Sequence, residues 1–190
     1  RYAFETDQYG RNFLGTPPQG RADYAFFQHI LKSLKSDTGR CAILFPHGVL
    51  FRGEEKEMRE KLVKMDLVEC VIGLGKNLFY NSPMEACIVI CRAKKEPNRK
   101  GKILFINAKH EVTRKNAQSY LEDSHIEKIA NVFANFEAID KFSYVASLPE
   151  ITANDYELTI SLYVTDDVGE PAKPIEVTLP AWVESIRNTR

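Results

Sequence analysis

The sequence predicts an α/β domain built on a mixed sheet whose last strand runs antiparallel to its neighbour. Three short apolar runs, Cys41–Phe45, Leu67–Ile72 and Ala86–Cys91, are rich in Val, Ile and Cys and are bounded by Gly or Pro. Strands covered on both faces look like this, and solvent-facing helices do not. A charged stretch with helical spacing separates the first two runs, and a helix is what carries a chain from one parallel strand to the next. Gly73 to Met84, between the second and third runs, has no helical periodicity. This loop is therefore expected to turn the last strand back antiparallel and to present Phe79 and Tyr80 at a sheet edge.

Arg1 to Gly20 reads as an irregular lead-in, broken by Gly10, Gly15, Pro17, Pro18 and Gly20 and carrying Tyr2, Phe4, Tyr9 and Phe13. Such rings pack against structure or a ligand, so with no element before them the chain reads as a piece of something longer. The α/β portion is expected over residues 21–107. With Asp23 as N-cap, a helix puts Phe27, Ile30, Leu31 and Leu34 on one face and ends at Asp37-Thr-Gly39. Pro46-His-Gly48 closes the first strand. The next helix, Glu54–Lys64, is expected to bury Met58, Leu62 and Met65, while Glu54, Glu55 and Glu57 complement its dipole. A basic turn, Arg92 to Lys102, leads into a fourth strand-like run, Ile103–Ile106.

Residues 108–164 read as a helical and irregular extension, polar as far as Tyr120. A capping box from Ser124 to Glu127 opens a helix with Ile126, Ile129, Ala130 and Phe133 as its apolar stripe. Turns are expected at Leu148-Pro149 and Asn154-Asp155. Asp166–Pro174 has linker composition, and Pro180 to Arg187 resembles the first turns of a helix, so residues 165–190 read as a linker and a mostly helical tail.

At 190 residues and 44% hydrophobic content the chain can bury one sizeable core. Its 26 Lys and Arg balance 26 Asp and Glu, so no global field holds a polyanion and any nucleic-acid contact is local or shared with a partner. Cys41, Cys70, Cys87 and Cys91 all sit in apolar runs without a CxxC spacing, so they read as small hydrophobes and no metal site is expected. No apolar run approaches membrane-spanning length and no cleavable signal pattern opens the chain, which predicts a cytoplasmic protein without membrane contact.

Spacing alone yields little chemistry. Gly73-Leu-Gly75-Lys76 falls short of a phosphate loop, since Asn77 stands where a hydroxyl is needed. There is no nucleophile elbow, no paired-histidine zinc helix and no acid pair of hydrolase spacing. His47 has two readings: a site residue at the carboxyl end of a strand, where open α/β sheets place ligands, or a plain loop histidine. The exposed cations also have two. Lys76, Arg92, Lys94 and Lys95 touch a phosphate backbone, or the basic turn is an ordinary solvated hairpin tip.

Longer stretches carry a resemblance. Arg21-Ala-Asp-Tyr-Ala-Phe-Phe-Gln-His29, Phe45-Pro-His-Gly-Val-Leu-Phe-Arg-Gly53 and Val71-Ile-Gly-Leu74 followed by Asn77-Leu-Phe-Tyr80 resemble the modification (M) subunit of type I restriction-modification systems. Gly101-Lys-Ile-Leu-Phe-Ile106 and Glu150-Ile-Thr-Ala-Asn-Asp-Tyr156 with Leu158 do so too, and the matches keep their order between Gly15 and Val164. That family consists of N6-adenine DNA methyltransferases that use S-adenosylmethionine and work with a sequence-reading S subunit and, for cleavage, an R subunit. The resemblance implies the carboxyl-terminal half of a Rossmann-like methyltransferase sheet.

The family's glycine-rich cofactor loop and its Asn-Pro-Pro-Phe tetrapeptide lie on the amino-terminal side of the matched region. No such tetrapeptide occurs in this sequence, and Pro17-Pro18 is no substitute, since it follows Gly15-Thr16 and precedes Gln19. The resemblance thus implies no catalytic and no cofactor-binding residue here, and a chain inactive alone. What it leaves is the far wall of the target-base pocket, with Phe79 first and Tyr80 second as rings that stack on a flipped adenine. The alternative is that Phe79 plugs the core beside Leu78. Two functions follow, the back half of a DNA adenine methyltransferase or a non-catalytic scaffold that docks the S subunit through its tail and Trp182.

Overall fold

The computed structural model describes residues 2–80, 82–116 and 118–165. The expected linker, the expected helical tail and Trp182 lie outside the described residues. A single turn, α1 (Tyr2–Glu5), opens the lead-in. Side chains of the domain hold the rest of the lead-in: Lys61 Nζ donates to the Leu14 carbonyl at 3.1 Å, and Gln28 makes three further bonds. Leu14, fully buried, donates its backbone N–H to Gln28 Oε1 at 2.7 Å, and Gln28 Nε2 donates to the carbonyls of Gly15 at 3.0 Å and Tyr24 at 3.1 Å.

Gln28 sits on α2 (Asp23–Lys32), which buries Tyr24, Phe27 and Leu31 with it. Asp23 is not the N-cap. Ala22 holds that position without a side-chain bond, and Asp23 is drawn away because its carboxylate accepts from Arg52 Nη1 at 2.8 Å. Replacing Gln28 with Leu would strand the Leu14 N–H away from water, at about 1–3 kcal/mol, and leave the half-buried Gly15 carbonyl without its donor. The expected result is a lower urea midpoint together with faster proteolysis within residues 6–20. Unchanged proteolysis there would show that the apolar contacts of Leu14 hold the lead-in unaided.

Five strands form the main sheet: β1 (Arg40–Pro46), β2 (Val68–Leu74), β3 (Ala86–Arg92), β4 (Lys102–Ala108) and, late in the chain, β7 (Ser143–Ser147). Their order is β1-β3-β2-β4-β7, with β2 and β4 parallel and every other neighbouring pair antiparallel. The loop after β2 does reverse the chain. It does not stand at a sheet edge, however, because β2 and β3 are both interior strands. Phe79 and Tyr80 therefore rise from an end of the sheet, above its middle.

The basic turn is not a hairpin tip, since β3 and β4 are not neighbours and the chain must cross over the start of β2. Residues 108–164 are more than an extension. They contribute β7 to the main sheet and a small hairpin, β5 (Thr113–Lys115) with β6 (Gln118–Tyr120), that polarity concealed.

Helices cover both faces. On one side Val71, Val89 and Phe105 pack with α2 and α3 (Lys56–Lys64), and alternation along β2 and β4 sends Cys70, Ile72, Leu104 and Ile106 to the other, under Val132 of α4 (Asp123–Asn135). A short 3₁₀ turn, Gly53–Glu55, precedes α3, so Glu55 is not a first-turn surface acid but a fully buried one beside Arg52. Met65 lies past the end of α3 and is half exposed. The box that caps α4 is made by Glu122 and His125 rather than by Ser124 and Glu127, and Ile126 and Ala130 face solvent. Leu148-Pro149 begins α5 (Leu148–Ala153), where a proline in the first turn has no N–H to leave unpaired.

Candidate functional site

β1, β2 and β4 point the same way, and β3 starts where they end. A cavity of about 220 Å³ opens at that end of the sheet. His47 follows β1, Gly73 lies in β2, Glu85 precedes β3, and Asn107 of β4 with Lys109 closes one side. The 3₁₀ turn Ile160–Leu162 forms the remaining wall through Ile160 and Ser161, with Thr159 beside it. In open α/β sheets ligands bind outside the carboxyl ends of the strands, and this cavity has that position.

Two glycines let these walls close. A Cβ on Gly73 would stand 2.6 Å from Ile160 Cδ1, and one on Gly75 would stand 2.6 Å from the Lys109 carbonyl and 2.8 Å from Val112. The His47 ring is pinned: Nε2 lies 2.9 Å from the Ala86 carbonyl, which only accepts, so Nε2 carries the proton. That bond ties the end of β1 to the start of β3 and fixes the root of the aromatic loop.

The loop itself does not line the cavity. Lys76, mostly exposed, reaches back to Glu85 at 3.5 Å. Phe79 is half-buried and packs, with Leu78, on the core layer of Cys70 and Ile72. Tyr80 is 83% exposed, the most open of the large apolar side chains among the described residues.

The cations of the basic turn are elsewhere. β3 runs seven residues away from the cavity, about 20 Å at the usual rise per residue. Lys95, expected as a phosphate contact, is 4% exposed, and its Nζ donates to Asp66 at 2.6 Å and to the Lys102 carbonyl at 2.7 Å. Burial pulls its ammonium below the usual lysine range and Asp66 offsets part of that. Arg92 is occupied by Glu69 at 3.3 Å and Glu96 at 3.0 Å. These two therefore serve the fold, because carboxylates from β2 and from the turn before it already neutralise them. Lys94 alone of the three remains exposed.

Burial also pushes the Cys70 and Cys91 thiols up, and that of Cys87 up to about 12, so none of these three is a thiolate near neutral pH. Among the described residues no three His, Cys, Asp or Glu side chains are placed to hold a metal, and no helix is long and apolar enough to cross a membrane. Sequence reasoning reached His47 and missed Glu85, Asn107, Lys109 and Ser161. Only Asn107 carried a local signal, as the polar residue that ends an apolar strand.

The sequence profile of the N-6 DNA methylase family matches residues 2–170. The MjaVII type I restriction enzyme methylase subunit of Methanocaldococcus jannaschii is 43% identical over 157 residues, 79% of this chain and 26% of that protein. The HindI methylase subunit of Haemophilus influenzae is 35% identical over 171 residues, 83% of this chain and 38% of the relative. Among solved structures, a type I restriction-modification methyltransferase subunit from Streptococcus thermophilus superposes with a TM-score of 0.80 at 39% identity, over 86% of this chain and 35% of that one. The EcoKI M protein shares the fold at a TM-score of 0.59 and 17% identity. The chain thus spans about a quarter of the length of the M. jannaschii relative. Both the profile match, which covers all of the described residues, and the shared mixed sheet lead to one conclusion: the chain belongs to the N-6 DNA methylase family.

Proposed function

We propose that this chain is the carboxyl-side part of a type I modification subunit that transfers a methyl group from S-adenosylmethionine to the N6 amine of adenine in DNA, alongside an S subunit and, for cleavage, an R subunit. One observation carries the reading: an aromatic loop rooted at the carboxyl end of the sheet, in a chain whose relatives are methylase subunits of type I restriction enzymes. The described residues do not fit the methyl donor. A cavity of about 220 Å³ falls below the range of roughly 300–1,000 Å³ that ligand pockets occupy.

What these residues do in this reading is receive the base. An extruded adenine gives up its duplex stacking and pairing at a cost of a few kcal/mol, and stacking on an aromatic side chain returns about 1–3 kcal/mol. Phe79 meets the requirement of such a platform, since one side is fixed by core packing and the other is open. Tyr80 supplies an exposed second ring beside it. In the complete protein with its S subunit, Phe79→Ala is expected to weaken capture of the flipped base about 5- to 150-fold, the equivalent of that stacking energy. Fluorescence of 2-aminopurine at the target position measures the capture. Unchanged fluorescence and turnover with a lowered melting temperature would make Phe79 a core residue only.

A further inference from the structure

The hairpin β5–β6 has no part in the site as described, yet it is built onto it. Its first strand follows directly from Lys109, which lines the cavity. Val112 abuts Gly75 so closely that a Cβ there would meet it at 2.8 Å. The Ser119 backbone N–H donates to the Asn77 carbonyl at 2.9 Å, so the hairpin braces the loop that carries Phe79 and Tyr80.

Its charge is one-sided. From Lys109 to Tyr120 there are three cations, Lys109, Arg114 and Lys115, and one carboxylate, Glu111, which Lys128 of α4 already neutralises. Arg114 and Lys115 are exposed and make no ion pair with any described residue. Arg92, Lys95 and Arg99 of the basic turn, by contrast, are all bound to carboxylates. Tyr120, 40% exposed, adds an aromatic surface next to the brace. In a chain of zero net charge, an unneutralised pair of cations with an exposed ring, fixed beside the base-receiving loop, is the local field that the composition required of any polyanion contact.

We propose that Arg114 and Lys115 bind the DNA phosphate backbone flanking the target adenine, so that the hairpin, and not the Arg92–Lys102 turn, is the backbone contact of this chain. The inference rests on the methyltransferase reading above. Phosphate contacts position a protein without reading sequence, and each one lost lowers the slope of log affinity against log salt by about 0.9.

The test uses the complete modification subunit with its S subunit and a duplex containing the recognition site. Arg114→Gln with Lys115→Gln is expected to weaken binding several-fold on cognate and unrelated DNA alike and to reduce the salt slope by about 1.8. Arg114→Lys with Lys115→Arg should restore affinity and slope, whereas Lys94→Gln with Lys100→Gln should alter neither. An unaltered slope in the first variant, or an equal loss in the charge-preserving one, overturns the proposal. Failure of the unsubstituted complex to bind or methylate DNA would instead sink the methyltransferase reading itself.

Discussion

Glu69→Ala is expected to destabilise this chain by about 3–5 kcal/mol, as removal of one partner from a buried ionic cluster does. Glu69 is 1% exposed near the start of a strand whose every residue is buried, a position that favours an apolar side chain. It is tolerated because the ladder slips between Val68 and Cys70, placing Glu69 at a bulge. There its carboxylate meets Arg92 and Arg99, each at 3.3 Å. Arg99 extends the cluster to the end of α4, donating to the Ala134 carbonyl at 2.7 Å and lying 4.8 Å from the Phe136 ring.

Removing Glu69 leaves Arg99 without a carboxylate and Arg92 with Glu96 alone, in a space from which water is largely excluded. For a domain of this size the loss corresponds to a fall in melting temperature on the order of 10 °C. Glu69→Gln, which keeps the shape and removes the charge, should retain part of the stability. A loss below about 1 kcal/mol for Glu69→Ala, the range of exposed ion pairs, would show that water reaches the cluster and that the crossover turn is held by its apolar contacts.

The second large effect is expected at Arg59, on the inward face of α3 and 1% exposed. Its Nε donates to the Tyr156 carbonyl at 2.9 Å and its Nη1 to the Arg52 carbonyl at 3.0 Å. The first bond holds a turn in which Asp155 and Tyr156 both adopt positive φ, 56° and 57°, conformations that cost non-glycine residues energy and persist only when surrounding contacts enforce them. The second fixes the backbone of Arg52, whose side chain binds Asp23 and the buried Glu55.

Arg59→Met preserves most of the packing and leaves two half-buried carbonyls without their donor, at up to about 1–3 kcal/mol each. Urea unfolding should therefore show a midpoint lowered by about 2–5 kcal/mol divided by an unchanged slope. Arg59→Lys, with one compact donor group in place of a fork, should recover no more than about half. If the lysine variant matched the parent, a single bond would carry the whole effect and the turn at Asp155 would need another explanation.

The four strand-like runs were legible because a buried strand announces itself locally: β-branched and apolar residues over about seven positions, punctuated by Gly or Pro. The antiparallel reversal after β2 was legible as well, since a loop without helical period cannot make a parallel crossover. β7 escaped because five residues at an edge carry a weak pattern, and the β5–β6 hairpin escaped because its short polar strands bury only Ser119.

The candidate site was read in part. His47 and the aromatic loop stood out, one as a histidine closing a strand and the other through longer matching stretches. Two of the cations expected at a phosphate backbone, Arg92 and Lys95, are paired within the fold. Arg92 and Lys95 look free along the chain because their partners, Glu69 and Asp66, lie more than twenty residues away, and no local pattern joins them.

The sequence by itself therefore determined that this is an α/β chain, where its main strands run, and the family whose segments it repeats, all of which depend on the order of neighbouring residues. Only the tertiary structure decided the strand order β1-β3-β2-β4-β7, which strand ends meet around the cavity, and which cations remain unneutralised. Those outcomes depend on contacts between residues far apart in sequence, whose pairing free energy exists only once the sheet has formed and brought them together.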